Sequence, residues 1–151
     1  MLKLKIPPVV VFLICIGLMW AIHQFIPNQG VLFEAGKFIG IGLMILGGSI
    51  GVLAIIEFAR RSTTVNPHKP ENSKELVTTG VYQYSRNPMY LGLLIALLSP
   101  VFYWGNAVTL LVLPLFAWYI NKFQIKPEED IMQQKFGDEF LKYKKEIRRW
   151  I

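Results

Sequence analysis

Three long windows of the chain carry no Asp, Glu, Lys or Arg: residues 6–33, 38–56 and 87–121. Within the first, residues 9–26 form a predominantly apolar run of 18 residues, with His23 and Gln24 near its end, about 27 Å as a helix and close to the hydrocarbon thickness of a bilayer. Residues 38–58 give a second run of 21 residues that ends against Arg60 and Arg61, whose long stems reach the headgroups. The third window, 35 uncharged residues, would be about 52 Å long as one helix and overshoots the hydrocarbon by roughly 20 Å. It must fold back. Ser99-Pro100 and Trp104-Gly105-Asn106 are its breakers, which predicts spans at 88–103 and 107–123, with Pro114 kinking the latter. Gly40, Gly47, Gly48 and Gly51 mark the second span as a packing surface, with Gly47 and Gly51 as a small-xxx-small pair usable within one copy or between two.

Two polar stretches remain. Residues 62–87 carry turn signals, Asn66-Pro67 and His68-Lys69-Pro70, and no apolar period. Residues 127–149 read as an amphipathic helix. Pro127 suits its first turn, Glu128, Glu129 and Asp130 complement its positive end, and Met132, Phe136, Phe140, Tyr143 and Ile147 recur at helical spacing. The expected fold is therefore all-α: a polytopic membrane helical bundle of about four transmembrane helices in one domain, plus a C-terminal amphipathic helix that lies on the inner leaflet or caps the bundle.

Composition agrees with a membrane chain, since 53% of the 151 residues are hydrophobic and 17% charged. The net charge of +6 would suit nucleic acid, but its distribution assigns it to topology. With four spans, 15 of the 16 Lys and Arg fall on one side, so both termini are expected in the cytoplasm and no nucleic-acid partner is implied. One Cys and two widely separated His exclude a disulfide framework and a Cys/His zinc site, so no metal is expected. The first run lacks a small-residue cleavage site and reads as a retained helix.

Chemistry is concentrated where the third window meets the cytoplasm. The segment from Gly80 to Gly92 gathers Tyr82, Tyr84, Arg86, Asn87 and Tyr90 at a membrane boundary, where polar groups are expensive to desolvate. An interfacial tyrosine belt with a snorkelling Arg explains that composition as well as a site does. Glu128 and Glu129 follow directly on a span in a chain with ten acids, and are equally readable as first-turn dipole partners. Glu57 is expected to pair with Arg60 or Arg61, and His23 to sit at the outer interface.

Gly80-Val81-Tyr82, Arg86-Asn87-Pro88-Met89-Tyr90-Leu91-Gly92, Pro127-Glu128-Glu129, the block from Phe136 to Tyr143, and the terminal Arg148-Arg149-Trp150-Ile151 together resemble the integral-membrane methyltransferases. That group includes the isoprenylcysteine carboxyl methyltransferases and the phospholipid N-methyltransferases, and the resemblance runs from about Thr63 onward. It implies an S-adenosylmethionine site at the cytoplasmic end of a helical hairpin, covered by the preceding loop and by the acidic start of the last helix. Carried over by position, the cofactor contacts are Leu76, Val77, Tyr82, Asn87, Pro88, Met89, Tyr90 and Glu128, with Arg86 and Glu129 as catalytic candidates. Arg86 is the candidate for an anionic headgroup or substrate carboxylate. Asn66 and His68 fall in the covering loop.

Such a site would transfer a methyl group to a lipophilic acceptor reaching it sideways from the bilayer, with membrane lipids as partners and a prokaryotic plasma membrane as the expected home. The acceptor atom (carboxylate oxygen, amine or thiol) and the oligomeric state stay open. Three positions depart from the pattern: Asn87 stands where many members have His, Gln124 where the isoprenylcysteine enzymes carry a substrate-contacting Arg, and Phe140 where Tyr is common. Two other readings compete. Membrane sterol reductases share a Pro-x-Tyr-x-Gly segment and use NADPH, although they follow it with an acid where this chain has Leu93. A non-catalytic membrane scaffold with a degenerate site is the other.

Overall fold

A computed structural model describes residues 6–26, 35–60 and 75–151. It is an all-α bundle, with no strand among the described residues: α1 (Pro8–Phe25), α2 (Ala35–Arg60), a 3-10 turn (Gly80–Gln83), α3 (Pro88–Tyr103), a second 3-10 turn (Ala107–Leu111), α4 (Val112–Ile120), a π-helical turn (Asn121–Ile125) and α5 (Lys126–Glu146). Three continuous helical runs are long and apolar enough to cross a membrane: α1, α2 and the run from Ala107 to Glu146, while α3 is a shorter apolar helix.

The hairpin turn uses only one of the two breakers read from the sequence. Pro100 lies inside α3, which continues to Tyr103. Pro100 costs the helix one N–H, and near a C-terminus in lipid that loss is tolerated. The reversal comes at Gly105, whose φ of 63° favours glycine. Asn106 then fixes the turn: its side chain accepts from the Val108 amide at 3.1 Å and donates to the Ile26 carbonyl at 3.3 Å. Stacking of His23 on Trp104, 5.4 Å between ring centroids, ties the same end of α1 to the turn. Pro114 falls in the first turn of α4, so the bend it needs is taken up where 3-10 geometry becomes α.

α3 is the central element. On one side α2 packs on it through buried Gly40, Gly47 and Ala54, seven residues apart and so on one helical face. The approach is as close as backbones allow: a Cβ on Gly47 would stand 2.4 Å from the Gly92 carbonyl and 2.6 Å from the Ala96 amide nitrogen. On the other side α1 and α4 close a core around Met19, Leu97, Phe116 and Ile120, all fully buried. The opposite faces of α1 and α2 expose Leu13, Ile14, Ile45 and Val52, as helices facing lipid do.

The last helix is not continuous. Gly137 has φ 52° and ψ −122° and divides α5 into two segments. Phe140 and Tyr143 beyond it still face inward and are buried. No atom lies within 4 Å of a Cβ added at Gly137, so a side chain there meets only backbone strain. Gly137→Ala is expected to destabilise by about 1–3 kcal/mol, read as a lower unfolding midpoint in detergent.

Candidate functional site

The cytoplasmic end of the bundle is built by clips between distant segments. Glu57, near the end of α2, accepts a hydrogen bond from Thr79 Oγ1 at 3.0 Å and lies against Gly80. Gly80 has φ 59°, and a Cβ there would come 2.5 Å from Glu57 Oε1, so the turn is seated on this carboxylate. Arg60 stands 3.6 Å from Glu57 but is exposed, and contributes little. Arg61, Asn66 and His68 lie outside the described residues. On either side of Gly80 the chain buries Val77 and Tyr82 with Ala54, and Phe58, Val81 and Met89 pack around them. The Tyr82 ring meets Phe58 edge-on at 5.3 Å, and its carbonyl accepts from Tyr143 Oη at 2.7 Å. Burial above all, then the fields of Tyr143, Glu128 and Glu57, holds the Tyr82 phenol far above its ordinary value, so it stays neutral.

At the start of α3, Asn87 occupies the cap position, yet its side chain does not cap the helix. It donates instead to the Arg149 carbonyl at 2.9 Å. Pro88 follows at the first helical position, fully buried and suited to it because no N–H is needed there. Tyr90 is buried and donates its hydroxyl to Glu128 Oε1.

The two adjacent acids have opposite surroundings. Glu129 accepts from Arg86 Nη2 at 2.8 Å and from Arg149 Nη2 at 2.6 Å and Nε at 3.1 Å. Burial alone would raise its carboxyl, but these two guanidiniums overcome that and hold it below the usual range. Glu128 lies beyond the apolar part of the last span and has Tyr90 as its hydrogen-bond partner, with no cationic partner among the described residues. Burial, reinforced by the neighbouring Glu129 charge and only partly offset by the Tyr90 hydrogen bond, pushes Glu128 up to about 8.

Behind Tyr90, toward the bilayer, lies an apolar cavity of about 370 Å³ lined by Pro7, Pro8, Val9, Gly51, Ile55, Met89, Tyr90 and Leu93. Its volume is within the range of small-molecule sites. The rim residues Val9 and Ile55 are on the exposed apolar surface, so the cavity faces the lipid between α1 and α2.

The profile of the phospholipid methyltransferase family matches residues 36–139. The chain belongs to that family. Among curated relatives of this phospholipid methyltransferase-family chain, an uncharacterized protein of Haemophilus influenzae is 44% identical over 63 residues, 42% of this chain and 100% of its own length. A protein-S-isoprenylcysteine O-methyltransferase of Schizosaccharomyces pombe is 28% identical over 77% of this chain and 49% of its own. Protein-S-isoprenylcysteine O-methyltransferase B of Arabidopsis thaliana is 30% identical over 72% of this chain and 55% of its own. The chain thus spans about half the length of those isoprenylcysteine methyltransferases. No solved structure gives a significant match.

Against this family pattern the structure distributes the sequence-derived residues into three groups. Val77, Tyr82 and Met89 share one apolar cluster, with Leu76 half-buried beside it. Tyr90 and Glu128 form a pair, and Pro88, two residues before Tyr90, is fully buried. Arg86 and Glu129 belong to an ionic triad whose third member, Arg149, sequence reasoning did not single out. Gln124 is fully buried and donates to the Ile6 carbonyl at 2.7 Å, so it fastens the segment before α1. The role of Arg149 was hidden because its partners Glu129, Asn121 and Asn87 lie 20, 28 and 62 positions away. The sequence signal for Tyr143 was its place in the apolar period of the last helix.

Proposed function

We propose that this chain is an S-adenosylmethionine-dependent methyltransferase acting on a lipophilic acceptor that enters from the inner leaflet. The observation that carries the reading is Glu128: a half-buried carboxyl group held by Tyr90, beside a second acid that is fully paired, and with no counter-ion of its own among the described residues. A carboxyl in that position suits a cationic ligand. Aromatic faces at Tyr82 and Tyr90 complete surroundings in which a sulfonium or an ammonium is favoured. The amides of Met89 and Tyr90, in the first turn of α3 with no side-chain cap, suit a ligand carboxylate at the positive end of the helix dipole. S-adenosylmethionine has these three charged groups and supplies, when bound, an electrophilic methyl on sulfur.

The chain's own contribution is positioning and exclusion of water. Tyr90 separates the acidic pocket from the apolar cavity, so an acceptor chain lodged against Met89 and Leu93 would bring its polar end to the Tyr90–Glu128 pair. Holding two reactants in line can supply about 7–11 kcal/mol of the barrier, and an apolar wall keeps water from competing. The relatives are named O-methyltransferases and the family a phospholipid methyltransferase, which favours an oxygen or a phospholipid group as acceptor. A carboxylate needs no base at neutral pH, whereas an amine must first lose a proton. The deciding test is calorimetric titration of the detergent-solubilised chain with S-adenosylhomocysteine beside a titration with NADPH. Saturable binding of the first alone is the expected result. Binding of NADPH alone would replace this reading with a reductase, and binding of neither would leave a scaffold.

A further inference from the structure

Arg86 is the sequence candidate for an acidic acceptor, but its hydrogen bonds, like those of Arg149, go to the protein. Arg86 gives Nη2 to Glu129 at 2.8 Å and Nη1 to the carbonyls of Lys144, at 3.0 Å, and Ile147. Arg149 forks onto both oxygens of Glu129 and gives Nη1 to Asn121 Oδ1 at 2.9 Å. Its carbonyl accepts from Asn87 Nδ2 at 2.9 Å and from Ser85 Oγ at 3.4 Å. The Arg86 amide donates to the Arg148 carbonyl at 3.0 Å. The segment after α5 therefore returns across the start of α3, and Arg149 is where the strap, the acidic pair and the end of α4 meet.

Asn121 opens the π-helical turn and Glu129 lies just beyond it. A π turn has a wider and weaker hydrogen-bond pattern than the α-helices on either side, so the direction in which α5 leaves it needs outside support. One planar guanidinium holding residues on both sides of the turn provides that support. Glu128 and Glu129, one residue apart, point about 100° apart around the helix. Fixing Glu129 on Arg149 therefore fixes Glu128 toward Tyr90.

We propose that Arg149 is a positioning residue for the methyl transfer: by gripping Glu129 and Asn121 together it sets the geometry of the π turn that aims Glu128 at Tyr90. The proposal rests on the cofactor reading for its effect on binding, and on the fold alone for its effect on the turn. A lysine would restore the charge opposite Glu129 but cannot span a carboxylate and an amide with one rigid fork.

Two measurements on the full chain test it. In calorimetric titrations with S-adenosylhomocysteine, Asn121→Ala and Arg149→Lys are each expected to weaken binding by ~10-fold, because a small displacement at a reacting centre is costly. Asn121→Ala leaves both ion pairs in place and should unfold near the wild-type temperature. Hydrogen exchange over residues 121–130 is expected to speed up in both variants, with α2 and α3 unchanged. Affinity within twofold of wild type in either variant, or unaltered exchange across 121–130, overturns the proposal. If the wild-type chain binds no S-adenosylhomocysteine, the cofactor reading fails and the exchange result alone decides whether Arg149 governs the turn.

Discussion

Glu128→Gln is expected to weaken S-adenosylhomocysteine or S-adenosylmethionine binding by at least ~100-fold, since unpairing a cation in a dehydrated site costs about 3 kcal/mol or more. The same residue predicts a pH profile. With its carboxyl pushed up to about 8, Glu128 is protonated at neutral pH before a ligand arrives. A cationic ligand favours the carboxylate, so affinity should rise close to tenfold per unit as pH increases toward 8 and level off above it. Binding at pH 7 should release a proton, read as a dependence of the calorimetric heat on the ionisation enthalpy of the buffer. In Glu128→Gln both effects should vanish.

The stability of the ligand-free chain follows the opposite course. A folded value above the ordinary 4.5 means that the contribution of Glu128 is fully present below 4.5 and is lost as pH rises through about 8. Glu129 has the reverse sign. Its carboxyl is held low by Arg149 and Arg86, so its contribution is present above the ordinary carboxylate value and is lost as pH falls. Unfolding midpoints against pH, in wild type and in each Gln variant, separate the two.

Gly47→Val should be the most damaging change in the membrane-embedded part. Its side chain would collide with the Gly92 carbonyl and the Ala96 amide, which are backbone and cannot swing aside. Overpacking at such a contact costs about 1–3 kcal/mol, and here the only relief is to separate α2 from α3. Gly92 lies within one turn of Met89 and Tyr90, so the separation would also spread the residues proposed to hold the cofactor. Both a lower unfolding midpoint and lost S-adenosylhomocysteine binding are expected. Gly48→Ala is the control: nothing lies within 4 Å of its added Cβ, and it should change neither.

The helices were legible because a bilayer enforces them. A charge-free run of given length has few other options, and the fold class followed from three such windows. Local chemistry was less legible wherever a residue had two physically adequate uses. Ser99-Pro100 reads as a break in water, but a helix in lipid passes through it. Gly137 fits an uninterrupted apolar period, and nothing nearby reveals that its φ is positive. Glu128 and Glu129 are indistinguishable by sequence position alone. Their difference arises from Arg86, 43 residues before Glu129, and Arg149, 20 residues after it. Tyr82, Asn87 and Tyr90 stood out in the sequence as polar and aromatic residues together at a membrane boundary, whereas their separate partners, such as the hydrogen bond from Asn87 to the terminal strap, are tertiary facts.

The cavity between α1 and α2 changes how this chain should be assayed. Its walls are apolar and its rim, at Val9 and Ile55, is set in the lipid-facing surface. A bilayer offers acyl chains to such a cavity, so an acceptor of the kind proposed above would compete with them for it. Occupation by the acceptor is therefore an exchange with the solvent of the membrane, governed by mole fraction in the bilayer rather than by molarity in the buffer. Detergent tails compete for the same space, so turnover should fall as detergent is added at constant acceptor and recover when the ratio of acceptor to amphiphile is restored.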